Sequence, residues 1–147
     1  TLGGHCHVGF GAWLGGMTVF HQNVRIGDMA IISGFSASRQ DILPYSKGEG
    51  RPPVPSGLNV VAMRRRGVSK EDRVNTNEAF KLLVSPEYNT TQAIEKIKET
   101  IPMNEYIENM IKFIQESKRG VLLKSHKTGH HSLEAEDVAE ESVLANV

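Results

Sequence analysis

Residues 2–37, LGGHCH VGFGAW LGGMTV FHQNVR IGDMAI ISGFSA in blocks of six, agree at three positions of every block. The first position is large and apolar: Leu2, Val8, Leu14, Phe20, Ile26 and Ile32. The second is Gly3, Gly9, Gly15, His21, Gly27 and Ser33, and the fifth is small or compact: Cys6, Ala12, Thr18, Val24, Ala30 and Ser36. A hexapeptide period predicts a parallel β-helix. Six is even, so strand alternation keeps its phase from block to block. The fifth position and the next large residue then point inward, and the residue between them points out. Glycine after the large residue suits a corner where backbone conformation or crowding excludes a Cβ.

If three blocks close one triangular coil, residues 18 apart stack and the outward residues sort into columns. One column carries His5, His7, His21, Gln22, Asn23 and Arg25. The others carry Phe10, Trp13, Met29 and Ile31, and Met17, Val19, Phe35 and Ala37. Two outward columns this apolar predict self-association through them. The polar column is where chemistry is expected. His21 is its most informative member, because an imidazole replaces the small residue of its repeat position.

The 147 residues, 39% of them hydrophobic, suffice for one domain or for a solenoid with a small second unit. The formal net charge of zero gives no global pull toward nucleic acid or an anionic membrane. No apolar run approaches the about 18–20 residues of a membrane-spanning helix, and no signal peptide pattern opens the chain, so no membrane insertion and a cytoplasmic location are expected. Cys6, the sole cysteine, falls at an inward position and reads as a small core residue in a reducing compartment. The repeat is already in phase at Leu2 without an atypical capping block, which reads as the C-terminal part of a longer chain.

After Ala37 the step fails, because Ser38 occupies the large apolar position. Ile42, Pro44 and Tyr45 are expected to form a last irregular coil, giving about two to three coils within residues 1–50. The Gly- and Pro-rich run from Lys47 predicts a closing loop over 51–57. Residues 58–120 read as a helical domain. Its first helix carries Leu58, Val61 and Ala62 on one face and stops at Gly67. Ser69 caps a second helix, with Glu71 and Asp72 in its first turn and Val74, Ala79, Phe80, Leu82 and Leu83 on its apolar side. Asn89 or Thr90 opens a third, with Ala93, Ile94 and Ile97 inward. Pro102 opens a fourth, striped by Met103, Tyr106, Ile107, Met110, Ile111 and Ile114. Residues 121–147 predict a disordered acidic tail. Nothing rigid fixes a geometry for its His126, His130 and His131, so no metal site is expected there.

The segment Gly15 to Gln22, then Gln40-Asp41, Pro44-Tyr45, Gly57-Leu58-Asn59 and Arg64-Arg65-Arg66-Gly67, closely resembles the acyl-carrier-protein:UDP-N-acetylglucosamine O-acyltransferases that open lipid A biosynthesis. The resemblance runs over residues 1 to about 120. It implies a left-handed parallel β-helix followed by an α-helical C-terminal domain, assembled as a homotrimer with active sites in clefts between subunits. The implied reaction moves an R-3-hydroxyacyl group from acyl carrier protein to the 3-hydroxyl of UDP-N-acetylglucosamine. The carrier-protein thioester is the donor, with neither a metal nor a covalently bound cofactor. The left hand departs from the usual rule for parallel crossovers and rests on the resemblance alone.

The same resemblance implies the residue roles. A general base with a pKa near neutrality suits the reaction, and the family uses a histidine. That histidine matches a position about one coil ahead of His5, in an Asn-Ala-His-x-x-His-Asp segment before Thr1. The 147 residues are therefore expected to be inactive alone. Gly4 matches the position whose backbone N–H stabilises the thioester oxyanion, although a repeat corner would use glycine too. His5 matches a residue near the sugar and Gln22 a ligand contact, while His21, one coil above His5, reads from its displaced corner glycine as a sugar or phosphate contact. Asn59, Arg65 and Arg66 match the helix around the nucleotide, where guanidinium forks suit a diphosphate. Val61 stands where some relatives carry an acid. Met17, Gly34 and Phe35 are candidates for the border of an acyl groove, and His7 reads as surface. Two rival readings are a relative that acylates a 3-amino UDP-sugar, and a non-catalytic hexapeptide solenoid that binds a nucleotide sugar.

Overall fold

The structure, a computed structural model, describes residues 1–124. The expectations for the tail beyond, including His126, His130 and His131, lie outside the described residues. Short strands follow the repeat: β1 His7–Val8, β2 Trp13–Leu14, β3 Val19–Phe20, β4 Arg25–Ile26, β5 Ile31–Ile32, β6 Ala37–Ser38, β7 Asp41–Ile42 and β8 Ser46–Gly48. Parallel pairing runs up each face, His7 against Arg25, Trp13 against Ile31 and Val19 against Ala37, so residues 18 apart do stack. The hydrogen bonds carry the same period, from Gly3 N to Phe20 O, His7 N to Val24 O and Gly15 N to Ile32 O. Phe20, Val24, Ile26, Ala30, Ile32 and Ile42 fill the solenoid core. Leu2 and Val8 lie at its lower rim and are 47% and 40% exposed.

The repeat glycines serve crowding rather than an unusual backbone. A Cβ on Gly15 would lie 2.3 Å from the Gly34 nitrogen, and one on Gly27 2.4 Å from the Pro44 nitrogen, both in the coil above. The left-handed backbone of each corner falls two places later, at His5, Gly11, Met17, Asn23, Met29, Phe35 and Tyr45, with φ between 53° and 66°. Most of these are not glycine, although positive φ is costly for bulky side chains. Hydrogen bonds between coils hold the corners in place, from Asn23 N to Gly4 O, Met29 N to Phe10 O and Phe35 N to Gly16 O.

The third coil is two residues short. Phe20 pairs with Ser38, eighteen residues on, but Ile26 pairs with Ile42, sixteen on. The missing pair lies at Arg39-Gln40, where the Ser38 hydroxyl donates to Gln40 O and accepts from Gln40 N in one tight turn. In this coil Gln40 O is engaged by the Ser38 hydroxyl, and Arg25 N donates to the Asp41 carboxylate at 2.8 Å instead of to a ladder carbonyl.

Two strands close the stack. β9, Pro55–Leu58, runs antiparallel to β8, and β10, Val121–Leu122, runs parallel to β7. Both correct the sequence reading. The 51–57 loop is half strand, held as an edge where proline is tolerated, and residues 121–122 belong to the solenoid rather than to a tail. The helices are α1 Val60–Arg65, α2 Lys70–Val84, α3 Thr90–Thr100 and α4 Glu105–Glu116. Asn59 caps α1, Ser69 caps α2 and Asn89 caps α3 in a reciprocal pair with Gln92. The fourth helix is opened by Asn104, not Pro102, because the Asn104 side chain accepts from both Tyr106 N and Ile107 N. Leu58 lies in β9, and Met63 rather than Val61 is the buried residue of α1. Val74, expected inward, is 50% exposed.

Met29 and Tyr45, both at corners, join the helical core with Met63, Leu83, Ile97, Ile107 and Met110. The helices therefore sit on one solenoid corner and cover part of a column that looked free in sequence. Met29 is buried there, and Ala37 is buried too, whereas Phe10, Trp13, Met17 and Phe35 remain 58–70% exposed.

Candidate functional site

The polar column occupies the corner formed by Gly3-Gly4-His5 below and His21-Gln22-Asn23 above. Every residue of this pair of turns except Gly3 is exposed. His21 fills a repeat position held by glycine in four of the six blocks and by serine in a fifth, and its side chain is exposed. Gly3, Gly9 and Gly15 each face the backbone nineteen residues ahead, and Gly27 faces Pro44, seventeen ahead across the shortened coil. The backbone of His21 is pinned, its N–H donating to Ser38 O and its carbonyl accepting from Cys6 Sγ. Cys6 is thus half-buried against the core, as its repeat position predicts.

Gly4 differs from the crowded glycines. A Cβ there would meet nothing within 4 Å and its φ is not positive, so neither packing nor backbone requires glycine. Gly16 is equally open, and Gly34 stands over it with its Cβ position 3.0 Å from Gly16 O. Met17 and Phe35 flank this pair as exposed left-handed corner residues. Arg51 Nε donates to Phe35 O and holds the upper turn.

The face between the His corner and the next is roofed by α4. Arg25 lies 4.3 Å over the Phe113 ring and 3.9 Å from Glu116, itself 3.9 Å from Lys112. A cavity of about 250 Å³ remains between them, bordered by His7, Gly9, Asp28, Asn109 and Lys112. It continues toward the His corner as an open groove of about 990 Å³ lined by His5, Asn23, Arg25, Lys118 and Arg119. Sequence reasoning assigned nothing to Arg25, Lys118 or Arg119. The only available signal was the position of Arg25 in the polar column, because the other two arrive by the fold of the C-terminal segment.

Asp28, Asn109 and Tyr45 lock α4 to the second corner. Asp28 Oδ1 accepts from Phe10 N at 2.8 Å, and the Asn109 amide nitrogen contacts Asp28 Oδ2 at 3.3 Å and the Tyr45 hydroxyl at 2.7 Å. Burial pushes the Tyr45 phenol above the usual range, the Asp28 charge adds to this, and the Asn109 hydrogen bond opposes it.

Asn59 is 4% exposed, and both ends of its amide are committed to the fold. Its nitrogen donates to Met29 O at 2.9 Å and its oxygen accepts from Ala62 N. It joins helix to solenoid, a role the sequence did not reveal. Arg65 and Arg66 are exposed at the end of α1, with the Arg66 guanidinium 4.2 Å over the Phe10 ring. The candidate residues thus fall in two groups within one chain. His5, His21 and Gln22 share one corner, and Asn59, Arg65 and Arg66 gather beside the next, so a single chain does not assemble them into one pocket.

A hexapeptide-repeat β-helix with a helical unit docked on its corner, an exposed His-Gln pair and an arginine-ended helix place the chain among the left-handed β-helix proteins. Residues 41–122 match the family described as Udp N-acetylglucosamine O-acyltransferase, domain 2, and the chain belongs to that family. Among curated relatives named acyl-[acyl-carrier-protein]–UDP-N-acetylglucosamine O-acyltransferase, that of Campylobacter concisus is 38% identical over 124 residues, 84% of this chain and 46% of the relative. That of Nautilia profundicola is 36% identical over 121 residues, 82% of this chain and 46% of the relative. The solved UDP-N-acetylglucosamine acyltransferase of Bacteroides fragilis superposes with a TM-score of 0.76 at 32% identity, over 80% of this chain and 46% of that one. The Campylobacter jejuni enzyme gives 0.74 at 34%, over 84% and 48%. The chain spans about half the length of the relatives it matches. Among the described residues no helix is long and apolar enough to cross a membrane.

Proposed function

We propose that the full-length protein is a cytoplasmic, homotrimeric acyltransferase of lipid A biosynthesis. It moves an R-3-hydroxyacyl group from acyl carrier protein to the 3-hydroxyl of UDP-N-acetylglucosamine. The observation that carries this is His21, an exposed imidazole at a repeat position otherwise held by glycine or serine, in a chain of this family. In the reaction the sugar oxygen attacks the thioester carbonyl, the C–O bond forms, the C–S bond breaks, and the carrier thiol leaves with the proton. The open backbone at Gly4 faces the developing oxyanion. His5, His21 and Gln22 contact the sugar, and Arg65 and Arg66, on the helix that Asn59 starts, reach the diphosphate. Met17, Gly34 and Phe35 border the acyl chain. The general base is supplied by a histidine ahead of Thr1. The separation of the His and Arg groups within one chain supports a site completed by a second subunit, with Trp13 and its exposed apolar neighbours in the interface.

The test is acyl transfer by the full-length protein, with UDP-N-acetylglucosamine and its 3-amino analogue offered side by side. Ester formation with the hydroxyl sugar is expected, and His21→Ala should weaken sugar binding about 10-fold, the loss of one good polar contact. An amide product alone would move the protein to the amino-sugar branch. No product with either acceptor would leave a nucleotide-sugar-binding solenoid.

A further inference from the structure

Arg119 lies between α4 and β10, in the turn that returns the chain to the solenoid. Its Nη2 is 2.8 Å from His21 Nδ1, and its Nη1 donates to Arg39 O at 3.1 Å. The segment is fixed on both sides: Ser117 donates to Asp41, Asp41 N donates to Gly120 O, and Gly120 takes a φ of 77°. Ninety-eight residues separate Arg119 from His21, and the β7–β10 pairing brings them together.

The chemistry of this contact has one solution. A guanidinium has five N–H donors, no acceptor, and stays charged at any working pH. The bond therefore needs a lone pair on His21 Nδ1. A neutral imidazole carries one N–H, which must then sit on Nε2. We propose that Arg119 is a positioning residue that holds His21 as the Nε2–H tautomer, so that the ring presents a hydrogen-bond donor to an acceptor oxygen of the nucleotide sugar. A ring held this way has no free lone pair with which to take the proton of the sugar hydroxyl, and His21 is a binding group rather than a base. The identity of the acceptor rests on the proposed function; the tautomer does not.

The test has two arms that can fail separately. The first uses the ligand-free full-length protein labelled with ¹⁵N-histidine. Long-range proton–nitrogen spectra at about pH 8, above the ordinary titration of histidine, report which nitrogen carries hydrogen. The His21 signals are assigned by their disappearance in His21→Ala. Nδ1 should be fully unprotonated in the parent protein. Arg119→Ala should move both nitrogen shifts toward the tautomer average of free imidazole, and Arg119→Lys, which keeps a donor, should move them less. A protonated Nδ1, or shifts indifferent to Arg119→Ala, would overturn the proposal. The second arm measures UDP-N-acetylglucosamine affinity. Arg119→Ala should weaken it about 3- to 10-fold, and that loss should vanish in the His21→Ala background. Full additivity of the two losses would show that Arg119 acts elsewhere and would also overturn the proposal. If His21→Ala alone leaves affinity unchanged, the proposed sugar contact fails while the spectra still decide the tautomer.

Discussion

Asp41 is the sharpest place to perturb this fold. It is 1% exposed, and its carboxylate accepts from Arg25 N at 2.8 Å and from Ser117 Oγ at 2.6 Å. The first bond stands where a ladder carbonyl would otherwise accept, and the second ties down the segment that carries Arg119. Hydrogen bonds to a charged group contribute about 1.5–3 kcal/mol, and an orphaned buried donor costs about 1–3 kcal/mol. The Ser117 hydroxyl is half-buried and can turn to water, so most of the loss falls on the Arg25 N–H. Asp41→Ala should therefore destabilise by about 2–4 kcal/mol, whereas Asp41→Asn, which keeps an acceptor for Arg25, should cost about 1 kcal/mol. Urea unfolding of the full-length protein, compared at one protein concentration, measures both. Hydrogen exchange at the Arg25 amide supplies the local readout and should accelerate only in the alanine variant. An alanine variant within about 0.5 kcal/mol of the parent would refute the substitution of carboxylate for carbonyl. So would an asparagine variant that is equally damaged.

Two further stability tests follow from the corners. Gly15→Ala puts a Cβ 2.3 Å from backbone and should cost about 3 kcal/mol or prevent folding, whereas Gly16→Ala meets open space and should stay within about 0.5 kcal/mol, both by denaturant titration. Tyr45 has a raised folded pKa, so above the ordinary phenol value near 10 the folded state holds a proton that the unfolded state has lost. Its contribution is fully present below that pH and falls as pH rises through the folded value. Tyr45→Phe should flatten the alkaline loss of stability, read from unfolding at several pH values, and cost about 1 kcal/mol at neutral pH through the lost contact with Asn109. An unchanged alkaline slope would contradict the burial argument.

The six-residue period determined the solenoid because its cause is local. Strand alternation and the contact between one coil and the next repeat at a fixed interval, so six agreeing blocks suffice to place Phe20, Ile26 and Ile32 inside. Helix starts at Ser69 and Asn89 were equally legible, since a capping side chain acts within three residues. The deletion at Arg39-Gln40 announced itself only as a failed step at Ser38. Its consequence, a carboxylate standing in for a ladder carbonyl at Arg25, needed the register of the stacked coils. β9 and β10 were not readable either, because a two- to four-residue strand is set by the edge it meets rather than by its own pattern. Tertiary structure alone decided that Asn59 joins helix to corner, that Met29 is covered, and that Arg119 reaches His21 across ninety-eight residues. Contacts at that separation depend on how the helical unit docks. The sequence determined which residues could carry chemistry, and the docking decided which of them face one another.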